Sequence, residues 1–461
     1  MDERGNGRPD AGWLGRRLEL LVGPVAHGGH CVARYDGRVV FVRHALPGET
    51  VLAEVTEDRG GSFCRADAVE IRQASPDRVE RRCAYARPGG CGGCDFQHVS
   101  LPAQRELKAA VVAEQLDRLA GQRLPVTVRP LDGGDGLGWR RRVRFAVGPA
   151  GEIGLRAHRS HAVVPIASCP IGAPGVGDAA ALRADWPGLA ELEVAVDDRG
   201  EVVELTHRPR PVRQQHGQRG RRPQHRGRAV RPVLDTEQLS GPAGLHYTVA
   251  GREFAIRPSG FWQTHPRAAE AFTETVLRGA DPRPGDRALD LYAGSGLFTA
   301  ALAAAVTGSG TVLGLEADPD AVADAGANLA DLPWAAVRRV PVDAGSVAAA
   351  AGDAGPLDIV VLDPPRSGAG REVMAAILAS APRVVVYVAC DPAALARDVR
   401  FVLDAGWRLD GLDAFDAFPM THHVECVAVL RPGSGGDGAP ESDADRSRDA
   451  GDVTAEAAPC K

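Results

Sequence analysis

Residues 288–296 read Ala-Leu-Asp-Leu-Tyr-Ala-Gly-Ser-Gly, a short apolar strand that runs into a glycine turn. Leu-Phe-Thr-Ala-Ala-Leu-Ala-Ala-Ala (297–305) follows with helical character. Further along, the same alternation recurs. TVLGLEA (311–317), AVRRVPVDA (336–344), DIVVLDPP (358–365) and RVVVYVACDP (383–392) read as strands. PDAVADAGANLADL, GREVMAAILASA and AALARDVRFVLDAG read as helices. Strands alternating with helices imply an α/β fold, a doubly wound parallel sheet with helices on both faces. Ligands of such sheets lie beyond the carboxyl ends of the strands. Tyr292, Glu316, Asp343, Asp363 and Cys390 stand at five successive strand ends and are expected to converge on one rim.

The chemistry of that rim starts from the turn. Gly294 and Gly296 let backbone pass close to a ligand at a helix N-terminus, a feature shared by nicotinamide-dinucleotide and S-adenosylmethionine sites. A carboxylate at Glu316 can accept hydrogen bonds from ribose hydroxyls. Asp343 is expected either to meet an adenine amino group or to cap the helix before Gly345-Ser346. Asp363-Pro-Pro-Arg-Ser-Gly368 decides between the two cofactors. Its prolines stiffen the loop and hold the Asp363 carboxylate against the ligand. A sulfonium cation suits such acidic neighbours, whereas a dehydrogenase has no evident need for Asp-Pro-Pro followed by a strand-end cysteine.

The rest of the 461-residue chain fits about three domains at roughly 150 residues each. Residues 13–72 carry short alternating strands around Asp36-Gly37 and Pro47-Gly48, which favour a small antiparallel OB-type barrel. Residues 73–245 are expected to form a central α+β domain, and 246–432 the catalytic domain. Residues 433–461, rich in Gly, Ala, Asp and Glu and without aromatics, read as a disordered tail. Net charge is −6, and only Lys108 and Lys461 of the 54 basic residues are lysines, so arginine abundance alone says little. Clustering says more: His207–Pro232 holds nine arginines, three histidines and no acid. It is expected to be a mobile arm that binds an RNA backbone. The first residues show no signal peptide and no stretch approaches the roughly 18 apolar residues of a membrane span. The expectation is a cytoplasmic protein without membrane contact or obligate protein partner.

With Phe261-Trp-Gln263, LDLYAGSG, GLEA, DPPRSG, ACDP and HHVECVAVL in place, residues 261–430 resemble the catalytic domain of the RNA uracil-5 methyltransferase family. GPVAHGGHCVAR with GRVVFVRHALPGE resembles a TRAM domain, which in that family binds RNA. The resemblance is to the bacterial branch that methylates ribosomal RNA and carries an iron–sulfur cluster; it leans toward ribosomal rather than transfer RNA. It implies that Gln263, Tyr292, Glu316 and Asp363 bind S-adenosylmethionine, with Gly294 and Gly296 in the turn and Asp343 as a further contact. It implies Cys390 as nucleophile and Glu425 as base. Several relatives have a polar residue where this chain has Leu297.

Uracil C5 is too poor a nucleophile to attack a methyl sulfonium unaided. A thiolate added at C6 makes C5 enolate-like, the methyl transfers, a base removes the C5 proton, and the thiolate leaves. Cys390 ends an apolar strand before Asp391-Pro392, where the helix dipole favours a thiolate and Asp391 opposes it. Glu425 lies within an apolar strand, where burial raises a carboxyl pKa and makes it a better proton acceptor. Cys426 is expected on the opposite face, in the core. His422 and His423 are expected to be incidental. The target uridine must be flipped out or already unpaired to reach the rim.

Nine cysteines in a leaderless chain argue against a disulfide framework. Cys83, Cys91-Gly-Gly-Cys94 and Cys169 provide four thiols with a tight CxxC kernel, suited to an iron–sulfur cluster or to structural zinc. The resemblance favours a [4Fe-4S] cluster, although relatives often have five residues, not seven, between the first two cysteines. Cys31, Cys64 and Cys460 carry no assigned function. Two other readings stand beside uracil methylation: an RNA cytosine-5 methyltransferase, and a non-catalytic RNA-binding cluster protein.

Overall fold

Five strands open the chain: β1 (Arg17–Leu21), β2 (Cys31–Tyr35), β3 (Arg38–Arg43), β4 (Thr50–Asp58) and β5 (Phe63–Gln73). The structure is a computed structural model that describes residues 12–210 and 233–433. The strands pair in the order β1-β4-β5-β3-β2. Leu18, Leu20, Val40, Val42, Val51, Ala53 and Val55 turn inward, so the period of two in the sequence becomes the period of the core. Pairing is antiparallel except between β3 and β5, which run parallel; the expected all-antiparallel barrel is corrected in that one contact.

The middle of the chain is divided between two sheets. Strands β7 (Arg142–Val147), β8 (Ile153–Arg156), β9 (Val163–Pro165), β10 (Glu191–Val196), β11 (Val202–Pro209) and β12 (Leu234–Ser240) form an antiparallel sheet in the order β12-β11-β10-β7-β8-β9. Its core gathers Val143, Phe145, Ile153, Ile171, Leu192 and Val194 around Cys83, Cys94 and Cys169. Residues 101–130 go elsewhere. Helix α1 (Leu101–Gln115), a π-helical turn at Leu116–Ala120 and β6 (Val128–Pro130) join the C-terminal sheet, with β6 pairing parallel to its edge. The reason is apolar: Val112, Leu116, Ala120 and Val128 belong to the same core as Leu291, Val385 and Val402. Lys108, fully buried on α1, anchors that docking by donating to Asp416 Oδ1 at 2.5 Å and to the Phe418 carbonyl at 3.0 Å.

The arginine-rich stretch needs a correction at its start. His207 is no part of a solvated arm. It lies buried in β11, between Glu193 Oε2 (3.1 Å) and Thr236 Oγ1 (2.9 Å). β11 and β12 pair as a hairpin, closed by Arg210 N donating to Val233 O at 2.8 Å. The expectation of a mobile arm otherwise falls on residues 211–232, and that of a disordered tail on residues 434–461 with Cys460; both lie outside the described residues.

A hairpin of β13 (Leu245–Val249) and β14 (Arg252–Ile256) leads through α2 (Ala268–Ala280) into the main sheet. There follow β15 (Arg287–Leu291), α3 (Leu297–Val306), β16 (Thr311–Glu316), α4 (Pro319–Asn328), β17 (Ala335–Arg339), α5 (Ala344–Ala354), β18 (Ile359–Leu362), α6 (Arg371–Ala379), β19 (Val384–Ala389), α7 (Pro392–Asp404), β20 (Trp407–Asp416) and β21 (Glu425–Pro432). The sheet order is β17-β16-β15-β18-β19-β21-β20-β6. Val384, Val386 and Val388 point to one core, and Val385, Tyr387 and Ala389 to the other. Such unbroken apolar strands are what helices on both faces require, and each fully buried valine contributes roughly 1.5–3 kcal/mol. The expected parallel sheet is interrupted once, because β21 inserts antiparallel between β19 and β20. No helix among the described residues is long and apolar enough to cross a membrane.

Candidate active site

The strand order reverses between β15 and β18, and the crevice opens there. A cavity of about 410 Å³ is lined by Gln263, Tyr292, Gly294, Glu316 and Asp363, together with Arg257, Phe261, Asp318 and Asp320. Five of the expected ligand-binding side chains or turn residues thus share one wall. Gly294 has φ +54°, and a Cβ there would stand in open space, so the turn presents bare backbone. Gly296 has φ +89° but faces away, its missing Cβ 3.3 Å from Ala325 of α4; it serves helix packing. Glu316 is held by three backbone donors, Gly294 N at 2.9 Å and Ala317 N and Asp318 N at 2.8 Å. Oε1 takes the Ala317 and Asp318 donors and Oε2 only that of Gly294, so Oε2 keeps a lone pair for a hydroxyl. Trp262 is buried and stacked on Tyr247 (4.9 Å between centroids, 11° between planes), which leaves Phe261 71% exposed at the cavity mouth.

Asp343 does not reach this cavity. β17 ends at Arg339, and Asp343 instead caps α5: its Oδ1 accepts from Ser346 N at 2.8 Å, and its own N–H donates to Ser346 Oγ at 3.0 Å. The reciprocal capping box absorbs the carboxylate, which is the helix-cap alternative the sequence allowed.

The electrostatics are acidic. Asp290 lies fully buried beneath the turn; one oxygen accepts from Thr299 Oγ1 at 2.6 Å, and the other has no partner. Burial, together with Asp363 and Glu316, pushes its carboxyl up to about 7. Burial alone pushes Asp363 up to about 7 as well. The one cation on the lining, Arg257, is engaged with Asp320 and Asp324 of α4. The cavity therefore fits a ligand that brings positive charge.

A second cavity, of about 190 Å³, holds Cys390 with Arg366, Asp391, His422 and His423 from the catalytic sheet, Leu107, Lys108 and Val111 from α1, and His27, Gly28 and Gly29 from the barrel. The β19–β21 register pairs Ala389 with Cys426, so one step further the backbone of Cys390 comes opposite Glu425. Glu425 is 6% exposed. Its pKa is raised well above the usual carboxylate range by burial and by Asp363, against the pull of Arg366. Cys390 is pushed up to about 12, first by burial and then by Glu425 and Asp363, with Asp391 adding to it. The N-terminal position before α7 does not outweigh those charges. Cys426 is fully buried in the core beneath β19. The Asp363–Gly368 loop is pinned from below: Ala369 N donates to Asp398 Oδ2 at 2.9 Å, and Tyr387 Oη donates to the same oxygen at 2.7 Å.

The four thiols of Cys83, Cys91, Cys94 and Cys169 line one small cavity, closed by Val143, Leu155, Ile166 and Ile171. All four are free thiols. Among the described residues no three His, Cys, Asp or Glu side chains converge as a single metal ion requires.

Sequence reasoning missed the barrel and α1 contributions to the Cys390 cavity. His27 and Gly29 were read only as part of a TRAM-like motif. Lys108 had a signal: it is the sole lysine before Lys461 in an otherwise all-arginine chain. Nothing in spacing could bring it to Cys390.

Comparison with known proteins fits this geometry. The tRNA (Uracil-5-)-methyltransferase family profile matches residues 228–432, and the TRAM domain profile matches residues 14–69. A Streptomyces avermitilis protein named as an uncharacterized RNA methyltransferase is 45% identical over 437 residues, covering 92% of this chain and all of that one. The chain belongs to the RNA uracil-5 methyltransferase family. The 23S rRNA (uracil(1939)-C(5))-methyltransferase RlmD of a Shewanella species is 32% identical, covering 90% of this chain and 96% of its own. The crystal structure of Pyrococcus abyssi tRNA (uracil-54, C5)-methyltransferase in complex with S-adenosyl-L-homocysteine shares the fold, with a TM-score of 0.63 at 23% identity over 90% of this chain and 100% of that one.

Proposed function

We propose that this protein methylates C5 of a uridine in RNA, ribosomal RNA in particular, through a transient bond from Cys390 to C6 of the ring. The observation that carries the reading is an acidic cavity with a glycine turn, lined by Asp363, together with a second cavity lined by Cys390, whose backbone comes opposite the buried Glu425; the charge of Asp363 acts on both Cys390 and Glu425. The Shewanella relative, named for 23S rRNA, supports ribosomal over transfer RNA. S-adenosylmethionine, held by Gln263, Tyr292, Gly294, Glu316 and Asp363, supplies the methyl group as an electrophile. The Cys390 thiolate forms the S–C6 bond, and the C5=C6 electron pair moves toward C5 and the C4 carbonyl. C5 accepts the methyl while the donor sulfur keeps the bonding pair. Glu425, as carboxylate, takes the C5 proton; that pair re-forms C5=C6 and expels the thiolate. Purified protein, radiolabelled S-adenosylmethionine and unmodified RNA should yield 5-methyluridine on digestion to nucleosides; label in 5-methylcytidine would overturn the uracil assignment.

The acidic wall gives a binding prediction. With a folded pKa near 7, Asp363 holds a proton at pH 6 and has lost it at pH 8, so a cation meets a charged partner only at the higher pH. Binding of S-adenosylmethionine should tighten about tenfold from about pH 6 to about pH 8 for one such group, with proton release. S-adenosylhomocysteine has no sulfonium and should change little. Equal pH dependence of the two ligands in calorimetry would separate Asp363 from the sulfonium.

For the four cysteines we propose a [4Fe-4S] cluster. Thiols standing around a shared apolar cavity, rather than converging on a point, suit a multi-iron group better than zinc. Its role is structural, since methyl transfer consumes no electrons. Anaerobically purified protein should be brown with about four irons per chain, and Cys94→Ser should lose colour and iron. A colourless protein with one zinc per chain would sink the cluster. The TRAM barrel and the arginine-rich segment 211–232 would hold the flanking RNA backbone.

A further inference from the structure

The loop joining β1 to β2 leaves the barrel and ends against the nucleophile. His27 Nε2 lies 3.2 Å from Asp391 Oδ2, next in sequence to Cys390. The other Asp391 oxygen accepts from Ala394 N at 2.8 Å and so caps α7. Two residues on, Gly29 has φ +79°, and a Cβ there would come within 2.6 Å of the His422 Cβ and 3.4 Å of the Asp95 Cβ. Both the backbone conformation and the contact exclude a side chain. A third link passes through Asp95, which is buried. Its Oδ2 meets His422 Nδ1 at 2.5 Å, and its Oδ1 accepts from Arg43 Nη2, at the end of β3, at 3.3 Å. Barrel atoms therefore hold both sides of the Cys390 cavity, the Asp391 side and the His422 side.

We propose that the pocket receiving the target base is composite: the barrel loop His27-Gly28-Gly29 forms its outer wall, and His27 is a positioning residue that fixes the Cys390 loop through Asp391. A barrel that served only to tether RNA would leave its loops clear of the nucleophile; here it completes the reaction chamber. The base would enter between Gly28-Gly29 on one side and Arg366 on the other, both of which line the cavity. Docking of the barrel and readiness of Cys390 are then one event, because the same loop makes both contacts. Asp391 also places a negative charge beside the thiol, and His27 is the side chain that faces it. Losing His27 therefore loosens the loop and leaves that charge unopposed.

This inference rests on the covalent reading above, and the test separates the two. RNA carrying 5-fluorouridine is mixed with S-adenosylmethionine and full-length wild-type, His27→Ala or His27→Gln protein. Denaturant-stable adduct is followed over time, with RNA affinity and kcat measured alongside. Failure of the wild-type protein to form adduct overturns the covalent reading itself. Granted wild-type adduct, His27→Ala should lower kcat and the trapping rate roughly tenfold or more, as a displaced reacting group does. RNA affinity should stay within about twofold, and His27→Gln, which can still donate to Asp391, should recover part of the rate. Wild-type trapping rates in both variants, or a loss confined to RNA affinity, would overturn the composite pocket.

Discussion

Cys390→Ala should abolish methyl transfer while leaving RNA bound. In the mechanism proposed above the thiol adds to C6, and it is that addition which makes C5 nucleophilic. Removing a covalent nucleophile from an otherwise intact site lowers turnover by roughly four orders of magnitude or more. Alanine removes one partly buried sulfur from a cavity rather than from the packed core, so the fold should persist and the melting temperature should change little. The decisive readout is the fluorinated substrate. After addition and methylation the C5 fluorine cannot leave as a proton does, so wild-type protein should remain attached through Cys390. The alanine variant should show no adduct at any time. Methylation at the wild-type rate by Cys390→Ala would remove the residue from the chemistry.

Glu425→Gln should fail one step later. On the proposed mechanism, addition and methyl transfer need only the thiolate and the donor, whereas loss of the C5 proton needs the carboxylate. Turnover should drop about 10²–10⁴-fold, and adduct should accumulate on ordinary, unfluorinated RNA, where wild-type protein shows none at steady state. Glutamine matches the volume of the protonated carboxyl, the form that burial favours at this position, so stability should hold or rise slightly. An unchanged rate would exclude Glu425 as the base. A slow variant without adduct would instead assign Glu425 to the addition step, as the group that receives the thiol proton.

The two variants separate because the site divides its work between two strands. On the proposed mechanism the residue after β19 supplies the sulfur and the first residue of β21 the acid, and the antiparallel register sets their backbones opposite each other. Without ligands, burial and negative neighbours work against the charged form of each group. Burial and Glu425 push Cys390 up to about 12, burial holds Glu425 well above the carboxylate range, and Asp363 raises both. Arg366 pulls the other way on each. A cation beside Asp363 would act in the same sense, tying the protonation of the nucleophile and base to the methyl donor.

Much of this was legible along the chain. The 2-to-3.6 switching of apolar period after residue 288 dictated a doubly wound sheet, and the strand-end residues followed from that period because a strand's last side chain must sit at the sheet's edge. Tyr292, Glu316, Asp363 and Cys390 fell where expected for this reason. Asp343 did not, because three residues separate it from the end of β17 and the local reward of a capping box with Ser346 is available without any ligand. His207 failed as an arm residue because Glu193, on the neighbouring strand β10, supplies a buried partner.

The local alternation of apolar and polar residues, the glycine turn and the Asp-Pro-Pro loop were enough to specify elements, layers and the chemistry on one rim, since each depends on neighbours within a few positions. Which distant segments wall in the sulfur was decided only in three dimensions. The β1–β2 loop, α1 with its buried Lys108, and the inserted β21 reach Cys390 through apolar docking and through polar contacts that span more than three hundred residues, the exposed His27–Asp391 pair and the buried Lys108–Asp416 pair, and such contacts leave no periodic trace in a linear chain.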